Sequence, residues 1–266
     1  MQALRFDPNL PEAQMRVARY HYFNGDNARA REHVETARSI DPDHWLVRSA
    51  LVHELTYSGQ IEEAADLLRG NAQRDPLNMF LRENLVETLI RARRYEEALV
   101  EIEKISELAM AHRNHRRDLG YQQTRTQILT GDPEAAMVTA RSLTDDSDRL
   151  QLLAIAYQGL RRDTEWADSL SKLIEVADEK WSALNVAEVL AQRGDIKQAL
   201  SWLERIDIEP NCGNDNFAPA VYYSPFLADI EGNEAWETYR ADVLQVMRNC
   251  LLGLDLSTVP LHSTRS

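Results

Sequence analysis

Residues 45–78 read WLVRSALVHELTYSGQIEEAADLLRGNAQRDPLN, and this stretch decides the fold. Leu51, Val52 and Leu55 recur at helix spacing up to a break at Ser58-Gly59. Ala64, Leu67 and Leu68 resume it, and Asp75-Pro76 ends it. Apolar residues three and four apart line one face of a helix, so the stretch reads as helix, tight turn, helix, stop. Glycine suits a turn that side chains disfavour, and proline, without an amide hydrogen, cannot continue a helix.

The same punctuation recurs on both sides. Gly25 and Gly59 are 34 residues apart, as are Pro42 and Pro76, and Ala30, Ala64 and Ala98 follow one another at the same interval. Three independent markers with one period make the chain an array of helical hairpins, in which no unit buries its apolar face alone and stacking supplies the core. The alanines let the two helices of a hairpin approach closely. Leu55, Leu68 and Leu89 are sized to fill the layer between hairpins.

Taken in order, repeat one spans 11–44, with Val17-Ala18, the turn at Gly25, then Ala30, Val34 and Ala37. Repeat two is 45–78. Repeat three, 79–112, has Leu85-Val86, Leu89, Ala98 and Ile102, with Arg93 in place of the turn glycine and a second helix running on to about Ala111. Repeat four, 117–146, has Gly131 and Ala136 but a polar first helix, and Ala136 stands 38 residues after Ala98, which marks an insertion. Repeat five, 147–179, turns near Arg161, and repeat six, 180–210, carries Val186-Ala187, Gly194 and Ala199 and closes at Glu209-Pro210. Residues 211–224, rich in polar turn formers and containing Pro219, read as loop. Asn233 is placed to start a capping helix over about 234–252, and the tail 257–266 reads as disordered. The opening residues, with Asp7-Pro8, look like the end of a repeat, so the chain is expected to be cut from a longer protein.

A period of 34 with this punctuation resembles the tetratricopeptide repeat family over residues 11–210. The resemblance implies an all-α, right-handed superhelical solenoid of about six helix-turn-helix repeats with a C-terminal helical cap. It also implies a concave groove lined by the first helices. Carried onto this chain, the groove residues are Arg19, Tyr22 and Phe23 in repeat one, and His53, Thr56 and Tyr57 in repeat two. Repeat three contributes Glu83, Glu87 and Arg91, and repeat four Tyr121 and Arg125. Aromatics interleaved with charges suit a peptide or helix laid along a groove. The carboxylate clamp by which some members hold chaperone tails needs Lys and Asn where this chain has Met15 and Arg19, and Asn where it has Ala50, which argues against that ligand. The segment SPFLADIEGNEAWETYR, 224–240, resembles the close of repeat arrays that follow class III nucleotide cyclase or winged-helix domains in bacterial signalling proteins. Neither domain is visible in the chain.

Composition fits this reading. The 266 residues are 44% hydrophobic and 27% charged, which is ordinary for a folded protein, and the formal net charge of −13 repels nucleic acid. No apolar run reaches the length of a membrane span. Cys212 and Cys250 make no disulfide framework and suggest a reducing, cytoplasmic setting. There is no phosphate loop, zinc-helix motif or nucleophile elbow, so no catalytic residue, cofactor or metal is assigned. His112 and His115 lack a third ligand and read as surface residues. The arginines at 91, 93, 94, 113, 116 and 117 form a basic island that suits either internal ion pairs or an acidic ligand.

The functional expectation is a non-enzymatic interaction module with a protein or peptide partner. A self-associating, homodimeric device and an enzyme with a scattered active site are the alternatives. One position breaks the pattern: Trp166 stands where the other repeats have alanine, which predicts a bend dividing the array around repeats four and five.

Overall fold

The computed structural model describes residues 9–111, 119–177, 180–206, 208 and 217–257, and every regular element among them is helical. The expectations for the chain start, for the basic stretch from His112 to Arg117 and for the tail beyond Ser257 fall outside these residues. The chain divides into two compact units. The first comprises Met1–Leu81, Ile208–Tyr222 and Ala241–Ser266; the second comprises Arg82–Asp207 and Tyr223–Arg240.

In the first unit, α1 (Pro11–Phe23) pairs with α2 (Asn27–Ile40), and α3 (Trp45–Tyr57) with α4 (Ile61–Arg74). The core gathers Ala18, Ala30, Val34, Val47, Leu51 and Leu55 with Leu252 and Leu254 from the far end of the chain. Residues 217–222, expected as loop, form α13 (Phe217–Tyr222) and bury Phe217 and Val221. Pro219 is tolerated because it sits in the first turn, where backbone N–H groups have no helical acceptor. Cys250 is disulfide-bonded, which removes the cysteine argument for a reducing compartment.

The second unit takes up most of α5 (Met79–Arg91), followed by α6 (Tyr95–Ala111), α7 (Gly120–Leu129) and α8 (Pro133–Ala140). Then come α9 (Asp146–Gly159), α10 (Asp163–Val176), α11 (Lys180–Gln192) and α12 (Ile196–Leu203). A 3-10 turn, Pro225–Ile230, packs on α11 and buries Phe226, Leu227 and Ile230. The last helix, α14 (Glu234–Asn249), begins in this unit with Trp236 buried and Asn233 accepting the Ala235 and Trp236 amides. The Tyr239 hydroxyl donates to the Leu203 carbonyl at 3.1 Å, which ties α14 to the end of α12.

One local device repeats in both units. Each hairpin turn has a residue in the left-handed region: Gly25, Gly59, Arg93, Gly131, Arg161 and Gly194. The two arginines adopt it at a strain of about 1–2 kcal/mol. Where the glycine is followed by aspartate, at Asp26, Asp132 and Asp195, the carboxylate caps the next helix by accepting the amide three residues on. Such a cap contributes about 1 kcal/mol. Five residues after the left-handed position stand Ala30, Ala64, Ala98, Ala136 and Ala199, each fully buried.

The polar helix α7 fits a buried setting by turning its hydroxyls on itself. Thr124 donates to the Gly120 carbonyl and Thr126 to the Gln122 carbonyl, each at 2.7 Å. Satisfied this way, both threonines are fully buried without the cost of an orphaned hydroxyl.

Trp166 stands five residues after Arg161 and donates its amide to Arg162, in the same register as the alanines. Its indole is half-buried with the ring nitrogen covered, and it lies under the Arg193 guanidinium of the next hairpin, 4.4 Å from the ring centroid. The buried positions of α10 are Ser169 and Leu173. Repeats three to six share one unit, and the chain divides at Leu81, not around repeats four and five. Trp166→Ala should therefore cost about 1–2 kcal/mol in urea denaturation, mostly a lost cation–π contact and partial burial. Ala64→Leu should cost about 1–3 kcal/mol, because a fully buried small position has no room for a larger side chain.

Candidate functional site

The residues assigned to the groove fall into two groups, one in each unit. In the first unit, Tyr22 of α1 meets His53 of α3, hydroxyl to Nε2, at 2.8 Å. Their rings are edge to face, and His53 stacks on Tyr57 with centroids 4.1 Å apart. Burial lowers the His53 pKa to about 4, so the ring is neutral at pH 7. Burial, reinforced by Tyr57 and Glu54, pushes the Tyr22 hydroxyl upward. Thr56 is a structural residue whose hydroxyl donates to the Val52 carbonyl. Arg19 is exposed over the Phe23 ring at 5.0 Å.

Sequence reasoning missed the most connected residue of this group. Glu54 is 3% exposed, and its carboxylate accepts three consecutive backbone amides: Leu252 at 2.9 Å, Gly253 at 2.6 Å and Leu254 at 3.0 Å. Its neighbours His53 and Tyr57 drew attention as aromatics, whereas one glutamate among 43 acidic residues carries no mark in the sequence.

In the second unit the groove residues form a polar ladder on the first helices of successive hairpins. On α5, Glu87 pairs with Arg91 at 3.2 Å, and Glu83 lies half-buried one turn earlier. Arg125 of α7, 7% exposed, reaches back to Glu87 at 3.4 Å and lies over the rings of Tyr121 and Phe226. The next rung was not foreseen. Gln151 of α9 and Ser224 each donate to the carboxylate of Glu188 on α11. Asn185, one turn before Glu188, donates to the Ser147 hydroxyl at 3.0 Å and to Asp148 at 3.1 Å. The missing signal was available in part: Gln151, Asn185 and Glu188 stand inside otherwise apolar helical runs, where a polar residue calls for a partner.

The charges are graded along the ladder. Burial pushes Glu87 up, but the charges and hydrogen bonds of Arg125 and Arg91 outweigh it and hold Glu87 below the usual carboxylate range. Burial raises Glu188 to about 7, with Arg125 and the Ser224 hydroxyl working against the rise. Asp148 is also raised by burial, against its bond from Asn185. Three buried atoms of the ladder have no hydrogen-bond partner: Nε of Arg91, which still faces the Glu87 carboxylate at 3.2 Å, Nε of Arg125 and Oε1 of Gln151. Among the described residues, no group of three or more His, Cys, Asp or Glu is arranged to hold a metal ion. No helix among them is long and apolar enough to cross a membrane.

Comparison with known proteins agrees with this architecture. Residues 181–205, the α11–α12 hairpin, match the tetratricopeptide repeat family. A tetratricopeptide repeat protein from Parabacteroides merdae superposes with a TM-score of 0.52, covering 90% of this chain and 98% of that one at 15% identity. At that identity the likeness concerns the fold alone. No curated protein matches. The chain is an all-α array of helical-hairpin repeats.

The raised Glu188 has a measurable consequence. Its folded pKa, about 7, lies above the ordinary value of 4.5, so the folded state holds the proton more tightly. The resulting stability is complete below pH 4.5 and is lost as pH rises through 7. Glu188→Gln, which cannot ionise, should gain on the parent across this window, up to about 3 kcal/mol at pH 8. Urea denaturation of both proteins at a series of pH values checks this; a difference independent of pH would contradict it.

Proposed function

We propose that the chain is a non-enzymatic protein–protein interaction module that holds a partner's peptide or helix against the first helices of its repeats. Repeats of the type matched at residues 181–205 generally mediate protein–protein interactions. The observation that carries the reading for this chain is the ladder of Glu87, Arg91, Tyr121, Arg125, Gln151 and Glu188. A purely structural layer between hairpins is most stable when apolar, and replacing buried charged groups by well-packed apolar ones is often neutral or stabilising. Here the layer keeps buried charged and amide side chains, among them a carboxylate raised to about 7. The formal charge of −13 favours a protein over a nucleic acid as partner.

The resemblance of residues 224–240 to the close of arrays in bacterial signalling proteins supports a regulatory or scaffolding role within a larger protein. In that segment Phe226, Leu227, Ile230 and Trp236 are the buried residues.

The test is binding of a captured partner to the full chain, with variants on two surfaces. Arg125→Ala and Tyr121→Phe should weaken binding, the first by about tenfold or more, as expected for a central anchor. Val138→Asp, on the exposed side of α8 where Val138 is 67% exposed, should leave binding unchanged. Loss with Val138→Asp and none with the ladder variants would move the partner to another surface. Concentration-dependent dimerisation lost with Arg125→Ala would replace the peptide by a second copy.

A further inference from the structure

Residues 250–256, Cys-Leu-Leu-Gly-Leu-Asp-Leu, follow α14 without helical structure and cross the surface formed by α1, α2 and α3. Their burial alternates: Leu252 and Leu254 are buried, Gly253 and Asp255 exposed, and Leu256 packs half-buried on the same cluster. The positive φ of Gly253 turns the chain between the two buried leucines, so that three successive amides face one carboxylate.

The helices grip the segment by its backbone. Asn27 of α2 donates to the carbonyls of Asn249 and Leu251, at 3.2 and 3.4 Å. The Tyr22 hydroxyl of α1 donates to the Cys250 carbonyl at 3.3 Å. Glu54 of α3 accepts the three amides of Leu252, Gly253 and Leu254, and Arg38 of α2 donates to the Asp255 carbonyl at 2.7 Å. Gly253 has φ +72, a conformation that selects glycine. Main-chain bonds that hold a peptide while alternate side chains enter an apolar cluster are the physics of peptide recognition.

We propose that the α1–α3 surface is a recognition site for a Leu-Gly-Leu peptide turned at its glycine and that residues 250–256 are its resident ligand, a strap that closes the site in cis. The buried Glu54 sets the requirement: an occupant must present a run of free amides, since an uncovered buried carboxylate is costly. The strap belongs to the same chain, which keeps its effective concentration high against free competitors. The site is in the first unit and is independent of the polar ladder.

The test uses the full chain and a labelled synthetic peptide of residues 251–257. Leu252→Asp/Leu254→Asp, which should lift the strap, is compared with the parent by fluorescence anisotropy. The peptide should bind the variant at least about tenfold more tightly than the parent, and adding Glu54→Gln should remove most of that gain. Equal binding to both proteins, or none to a variant that circular dichroism shows to be folded, would overturn the proposal. Where the double variant does not fold, amide exchange on the parent decides. The amides of Leu252, Gly253 and Leu254 should exchange before those of α2 and α3, through local opening; exchange only on global unfolding would make the strap a permanent part of the core.

Discussion

Everything in this chain depends on how closely two helices of a hairpin can approach. A left-handed residue reverses the chain, and five residues later a side chain no larger than a methyl stands at full burial in five of the six hairpins. A hairpin closed this tightly still leaves apolar residues on its outer faces. Those faces are covered only by the next hairpin or by a cap, which is why the chain must be an array. The sixth case supports the rule by its exception. Trp166 keeps the backbone register of the alanines but not their full burial: the indole lies half-buried beneath Arg193, and Ser169 and Leu173 are the buried residues of α10.

This constraint also explains what was legible beforehand. Glycine, aspartate-proline and alanine are punctuation that recurs at fixed spacing, and the hairpins follow from them. Arg93 and Arg161 were recognisable as turns because the period required a turn there, whatever residue filled it. Long-range pairings have no such spacing. Nothing near Glu54 points to Leu252, Gly253 and Leu254, some 200 positions away, and nothing near Cys250 indicates that it is disulfide-bonded. The division of the chain was misread for the same reason: Trp166 is visible locally, whereas the contacts that join the C-terminal residues to α1, α2 and α3 are not.

The candidate sites share one logic with different chemistry. Both are built chiefly from first helices, the elements whose inner side chains the stacking brings into rows, with Asn27 and Arg38 of α2 added in the first unit. In the first unit the row meets a later segment of the chain itself and binds its backbone. In the second the row is bonded largely from within, by ion pairs and amides passed from one hairpin to the next. The polar groups there are those the family resemblance could supply, Glu87, Arg91, Tyr121 and Arg125, together with Gln151, Asn185 and Glu188, which it could not. The difference is one of visibility: the former stand in polar stretches and the latter within apolar helices.

The central claim is that the ladder is kept for recognition and not for stability. Making it apolar tests this most directly. In Glu87→Leu/Arg91→Leu/Arg125→Leu/Gln151→Leu/Glu188→Leu the charged groups and the amide that bonds Glu188 leave together, and the Ser224 hydroxyl keeps the Phe226 amide as a partner. The account predicts a chain at least as stable as the parent at pH 8, by urea denaturation, that no longer binds its partner. A loss of several kcal/mol with helical content otherwise intact would show that the charges hold the hairpins together and would contradict the claim.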